Sequence, residues 1–139
     1  MHGIEEEIKK LVQDGFKLSD ITILTLETDE NSILHNVNQI GKYNISNTRE
    51  ENKVFFTTSR KFKGLESDAV FVIDYNIKDN NDEYIRNFYV STSRARIKLI
   101  IFSNNTDLEI NEVGAEINSE FSPIAAISSK FKVKLKKIN

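Results

Sequence analysis

The chain has 139 residues, 39 % of them apolar and 29 % charged, with a formal net charge of −2. That is the size and make-up of one soluble globular domain, and it argues against a disordered chain or a nucleic-acid binder driven by bulk positive charge. No cysteine is present, which excludes disulfides and thiolate metal sites, and the two histidines, His2 and His35, lack metal-ligand spacing, so no metal centre is expected. No apolar run reaches the roughly twenty residues of a membrane span and no signal-peptide core opens the chain, so a cytoplasmic protein without a membrane partner is expected.

Ile4, Ile8, Leu11 and Val12 recur at helical spacing and predict a helix closed by Gly15, with Glu5, Glu6 and Glu7 at its positive end and Lys9 and Lys10 further along. Residues 21–26, Ile-Thr-Ile-Leu-Thr-Leu, read as a strand. Ile33, Val37 and Ile40 give a weaker helical pattern ending at Gly41, and the polar stretch 44–52 reads as a surface loop. Strands are predicted at 53–58 and at 68–74, the second an unbroken apolar run of the kind buried on both faces of a parallel sheet. Tyr84, Ile85, Phe88, Tyr89 and Thr92 mark a helix with Asp82 near its start, and residues 98–102 form a further strand.

Strands alternating with helices predict an α/β fold, a parallel sheet with helices on both faces. Ligands on such sheets bind at the carboxyl ends of the strands, which directs attention to the segments after Thr58, Asp74 and Phe102. The pattern divides the chain into a core at residues 1–103 and an extension at 104–139 packed on the same domain. The extension carries a short amphipathic helix at Ile110, Val113 and Ile117, a break at Pro123, and a period-2 strand. In that strand Phe131, Val133 and Leu135 alternate with Lys130, Lys132, Lys134 and Lys136, as in an edge guarded against aggregation.

Two segments carry chemistry. The first, Thr57-Thr58-Ser59-Arg60-Lys61-Phe62-Lys63-Gly64-Leu65-Glu66, leaves one strand and leads into the next. Gly64 allows positive φ or close backbone approach, and Glu66 can accept hydrogen bonds from a ligand hydroxyl. The second, Phe88-Tyr89-Val90-Ser91-Thr92-Ser93-Arg94-Ala95-Arg96, brings Arg94 to the end of a helix ahead of an apolar strand. Taken singly, Gly64 reads as a turn glycine, Glu66 as a solvated acid, and Arg94 as a complement to the helix dipole. Asp74, at a strand end, sits where a receiver-like domain keeps its phosphoacceptor, but Lys98 precedes its strand where such a domain needs a lysine after it.

In order and in context the two segments resemble the UvrD/Rep family of superfamily 1 DNA helicases. Residues 58–66 resemble that family's motif V, T-x-H-x-x-K-G-L-E, with Thr58 at the threonine, Arg60 where histidine is usual, and Lys63-Gly64-Leu65-Glu66 intact. Residues 89–95 resemble motif VI, Y-V-A-x-T-R-A, with Ser93 in place of threonine and Arg94 at the arginine. The resemblance implies a RecA-like second helicase domain of the P-loop NTPase type, whose Arg94 is catalytic and reaches the γ-phosphate of ATP bound to the other RecA-like domain. It further implies Gly64, Glu66 and Arg94 as nucleotide-binding residues, Glu66 toward the ribose, and Thr58, Arg60 and Lys63 as contacts to single-stranded DNA. Arg96 has no counterpart in the motif and reads as a solvated charge.

The P-loop pattern G-x-x-x-x-G-K-[ST], which would cradle the phosphates and hold Mg²⁺, does not occur in the sequence. The expectation is therefore a fragment of a longer protein, inactive alone, with ATP and Mg²⁺ held mainly by an N-terminal RecA-like domain of the same polypeptide and movement 3′ to 5′. A non-catalytic RecA-like binding or regulatory module is the alternative that the residues leave open.

Overall fold

In the computed structural model the described residues are 2–76 and 81–103, with the backbone of 134–137. Helix α1 (His2–Gln13) buries Ile4, Ile8 and Leu11 along one stripe, while Val12 turns out to solvent at 39 % exposure because it lies one position past the stripe's centre. Strand β1 (Ile21–Thr25) is buried along its whole length.

Between Thr25 and Val54 the structure departs from the sequence expectation. The Ile33–Val37–Ile40 pattern does not form a helix. A 3-10 turn at Asp29–Asn31 leads through further turns into β2 (Gln39–Ile40), which folds back antiparallel on β3 (Tyr43–Ser46). Ile40 is buried in this hairpin and Ile33 stays 39 % exposed, so the 3.6-residue spacing was coincidental. Gly41 makes the hairpin possible: its φ is +58°, and a Cβ there would run into the Glu5 carboxyl group. The expected loop at 44–52 accordingly begins as strand and leaves it only after Ser46.

Strands β4 (Val54–Thr58), β5 (Ser67–Tyr75) and β6 (Ala95–Ser103) follow, with α2 (Asp82–Thr92) between the last two. Residues 134–137 form β7, parallel to β6 with Ile101 level with Leu135. The expected short helix around Ile110 and the break at Pro123 lie outside the described residues. The sheet order is β2-β3-β4-β1-β5-β6-β7, parallel at every pairing except β2 with β3. Among the described strands β7 stands at an edge, where the sequence expected its lysine-rich strand.

The strands divide their side chains between two faces. Ile21 and Ile23 of β1, with Ala69, Phe71 and Ile73 of β5, pack under α1; Leu24, Val70 and Val72 pack under α2. β5 is buried on both faces, as its unbroken apolar run requires. Tyr75 at its end stacks on Phe88 of α2 at 4.8 Å between ring centroids, fixing the helix against the strand. This is the α/β, RecA-like arrangement that the resemblance implied, with a helix on each face.

Candidate functional site

Because the central strands run parallel, their ends define two edges, and the sequence-expected residues separate between them. At the carboxyl edge, β1 and β4 open onto a pocket of about 500 Å³ lined by Glu27, Thr28, Asp29 and Glu30 after β1, by Thr58, Ser59, Arg60 and Lys61 after β4, and by Asn81, Glu83 and Asn87 of the α2 region. Asn81 caps α2, its side chain accepting from the Tyr84 amide at 2.8 Å. The Thr58 hydroxyl accepts from the Lys61 amide at 3.2 Å and holds the start of the turn. Arg60 points across the pocket and is ion-paired with Glu83.

Asp74 closes the same edge beside β1. Its backbone sits at φ +60°, uncommon for a residue with a Cβ, and its buried carboxylate accepts from Thr25 Oγ1 at 2.5 Å, Ser32 Oγ at 2.7 Å and the Ile33 amide at 3.2 Å. Three donors on one carboxylate make it a structural hub that ties the segment after β1 to the end of β5. Nothing about this arrangement leaves the carboxylate open to accept a phosphoryl group.

From the carboxyl edge, residues 59–66 run back across the α2 face. Phe62 anchors them, fully buried and 5.9 Å from the Phe55 ring. Lys63, exposed and outside the pocket, and Gly64, at φ +83°, form the last turn before β5. A Cβ on Gly64 would meet nothing within 4 Å, so glycine is called for by the backbone angle and not by crowding. Exposed Glu66 then stands at the amino edge.

Arg94 reaches that same edge from the end of α2. The Ser67 amide donates to the Arg94 carbonyl at 3.0 Å, and Ser67 is level with Ala95 in the β5–β6 pairing. Gly64, Glu66 and Arg94 are thereby brought together, whereas Thr58 and Arg60 lie at the far ends of the strands. Among the described residues, Ser91 Oγ and Arg94 Nε are the buried side-chain polar atoms without a hydrogen-bond partner, and both belong to this helix end. A buried guanidinium N–H without an acceptor is costly, and an incoming anion would satisfy it.

Two further residues shape the amino edge. Arg49, in the stretch expected as a plain surface loop, donates from Nη2 to the Glu66 carbonyl at 2.9 Å and lies over the Phe55 and Phe62 rings at 5.5 and 5.4 Å. It props the turn that carries Gly64 and Glu66. Its only sequence signal was a lone arginine between polar residues, too little to single it out. Arg96, expected as a solvated charge, is 57 % exposed and ion-paired with Asp68 at 2.8 Å. A bulge between the Ser67–Ala95 and Ala69–Lys98 pairs sets Arg96 there.

Among the described residues no group of histidine and carboxylate side chains is placed to hold a metal ion, and no helix is long and apolar enough to cross a membrane. No curated protein matched the chain. Residues 53–102 match the family model described as the UvrD-like helicase C-terminal domain. That span runs from the start of β4 almost to the end of β6, taking in Thr58 and Arg60 at one edge and Gly64, Glu66 and Arg94 at the other. Over those residues the chain is similar to the C-terminal domain of UvrD-type helicases.

Proposed function

We propose that this chain is the C-terminal motor domain of an ATP-dependent DNA helicase moving 3′ to 5′, in which Arg94 is the arginine finger. The observation that carries the reading is the junction of the two motif segments, where the Ser67 amide meets the Arg94 carbonyl and sets Glu66 and Arg94 side by side at the amino edge. The unpartnered Arg94 Nε supports it, because that donor is not engaged by any acceptor of the described residues.

On this reading the domain's residues divide their work. Arg94 presents its planar donors to the γ-phosphate of ATP held by an N-terminal RecA-like domain. There it stabilises the charge that spreads over the transferring phosphoryl, an effect worth roughly 10³–10⁵ in rate. Glu66 accepts from the ribose hydroxyls, and the open turn at Gly64 lets the backbone approach the nucleotide. The P-loop lysine and the Mg²⁺ ligands belong to the N-terminal domain, since the sequence has no G-x-x-x-x-G-K-[ST]. The chain alone therefore does not hydrolyse ATP. Thr58, Arg60 and Lys63 contact the backbone of single-stranded DNA, and closure and opening of the cleft shift them along it. Residues 1–103 form the RecA-like core, with 104–139 as its extension, in a cytoplasmic protein.

The test is Arg94→Ala in the full-length helicase. DNA-stimulated ATP turnover should fall by about 10³-fold or more while nucleotide affinity changes little. Wild-type turnover in that variant would remove Arg94 from the chemistry. If the coding sequence carries no P-loop domain upstream, the motor assignment itself fails, and a non-catalytic module is left.

A further inference from the structure

The pocket at the carboxyl edge is poorly made for phosphate. Its cations are Arg60 and Lys61, and against them stand Glu27, Asp29, Glu30 and Glu83. A strand phosphate would be repelled by these carboxylates and drawn only to the two cations. Arg60 already has an anionic partner: its Nη2 is paired with Glu83 Oε1, across the pocket from the segment after β4 to the first turn of α2. Arginine at this position, where the motif usually has histidine, gives the carboxylate a planar fork of donors to pair with.

We infer that Glu83 is a built-in competitor for DNA phosphate at Arg60, so that the strand binds there only by displacing the carboxylate. The inference rests on the reading of Arg60 as a strand contact and adds to it the residue that sets its strength. The pair is well suited to exchange. The two side chains are 70 % and 62 % exposed, so water and salt screen the attraction and the guanidinium can be handed over at little cost. A buried pair would lock Arg60 away, whereas this one tunes affinity and its salt dependence.

The experiment measures binding of the whole chain to a fluorescein-labelled oligo-dT 20-mer by anisotropy across a salt series. Glu83→Gln should tighten binding about two- to five-fold at low salt, the range expected of an exposed ion pair. The gain should shrink as salt rises, because salt screens the ion pair that competes in the wild type. Arg60→Ala should weaken binding, and Glu83→Gln should then have no effect in the Arg60→Ala background. Asp82→Asn removes the same charge one residue earlier, outside the pocket lining, and should leave affinity at the wild-type value.

Equal tightening by Asp82→Asn and Glu83→Gln would reduce the effect to net charge and overturn the competitor role. A loss on Arg60→Ala with no gain on Glu83→Gln would overturn it too, while leaving the strand contact in place. No change on Arg60→Ala would remove the strand contact and the competitor together.

Discussion

The two edges of the sheet are built on opposite principles. At the carboxyl edge, polar groups have found partners inside the chain: Asp74 takes three donors, Thr58 holds its own turn, and Arg60 is paired with Glu83. At the amino edge, Arg94 keeps a buried donor unsatisfied, Glu66 is exposed, and Leu65 shows 43 % of its surface. The rule that ligands sit at the carboxyl ends of parallel strands directs the eye to the edge whose polar groups are already engaged. The motif resemblance directs it to the other. A ligand at the carboxyl edge must displace an internal partner, whereas the amino edge keeps a donor unengaged, which is why the amino edge carries the proposed catalytic role.

The largest effect that tests this contrast lies at Asp74. Asp74→Ala would leave the Thr25 and Ser32 hydroxyls and the Ile33 amide without their acceptor, in a buried place and at a backbone angle that alanine tolerates poorly. The expected cost is about 3–5 kcal/mol, read as a fall of roughly 10 °C or more in thermal midpoint by circular dichroism. Asp74→Asn keeps an acceptor and tolerates positive φ, so its loss should be smaller. Glu66→Gln at the amino edge should shift stability by no more than about 0.5 kcal/mol. Comparable losses from Asp74→Ala and Glu66→Gln would erase the distinction between the edges.

Arg49 gives the next effect. Removing its bond to the Glu66 carbonyl and its contact with two aromatic rings should cost about 1–2 kcal/mol. The sharper readout is local. In Arg49→Ala, hydrogen exchange of the Lys63–Glu66 amides should quicken while that of β1 stays slow, because the prop touches the turn and not the sheet centre. Arg49→Lys should not restore protection, since lysine lacks the flat fork that covers the rings and reaches the carbonyl together. Uniform quickening across the sheet would show Arg49 to be a general stabiliser and not a support of the amino edge.

How much of this was legible in the sequence follows from what each signal depends on. The helices α1 and α2 were readable because burial imposes a period, which Ile4, Ile8 and Phe88 obey, and β1 and β5 because burial on both faces leaves short apolar runs. The β2–β3 hairpin was hidden because its strands are short, and Gly41 serves there against Glu5, some thirty-five residues away in the chain. The site divides in the same way. Lys63-Gly64-Leu65-Glu66 and Arg94 were visible as motifs, but their separation from Thr58 and Arg60 by the length of a strand depends on the sheet. Arg49, Asp68 and Glu83 gained their roles only through partners 17, 28 and 23 residues distant, which no local pattern encodes.

The smallest effect concerns the loop that presents Arg49. Glu50 accepts from Ser46 Oγ and, at 3.0 Å, from Thr48 Oγ1, and pairs with Lys53 at 3.5 Å. The Ser46 and Thr48 hydroxyls, with the Lys53 charge adding to them, hold its carboxyl below the usual glutamate range. A folded-state pKa that is depressed means a contribution present at neutral pH. It fades as pH falls through the ordinary glutamate range and is gone below Glu50's own lowered value. The group is fully exposed, so the change in thermal midpoint should be slight and should vanish in Glu50→Gln. A carboxyl titration followed by NMR checks the direction directly, and a midpoint at or above that of an ordinary glutamate would refute it. As acid is added, hydrogen exchange should also quicken in this loop before it does at the sheet centre. The amino-edge loop would then loosen first, as expected if its order depends on exposed bonds and that of the carboxyl edge on buried ones.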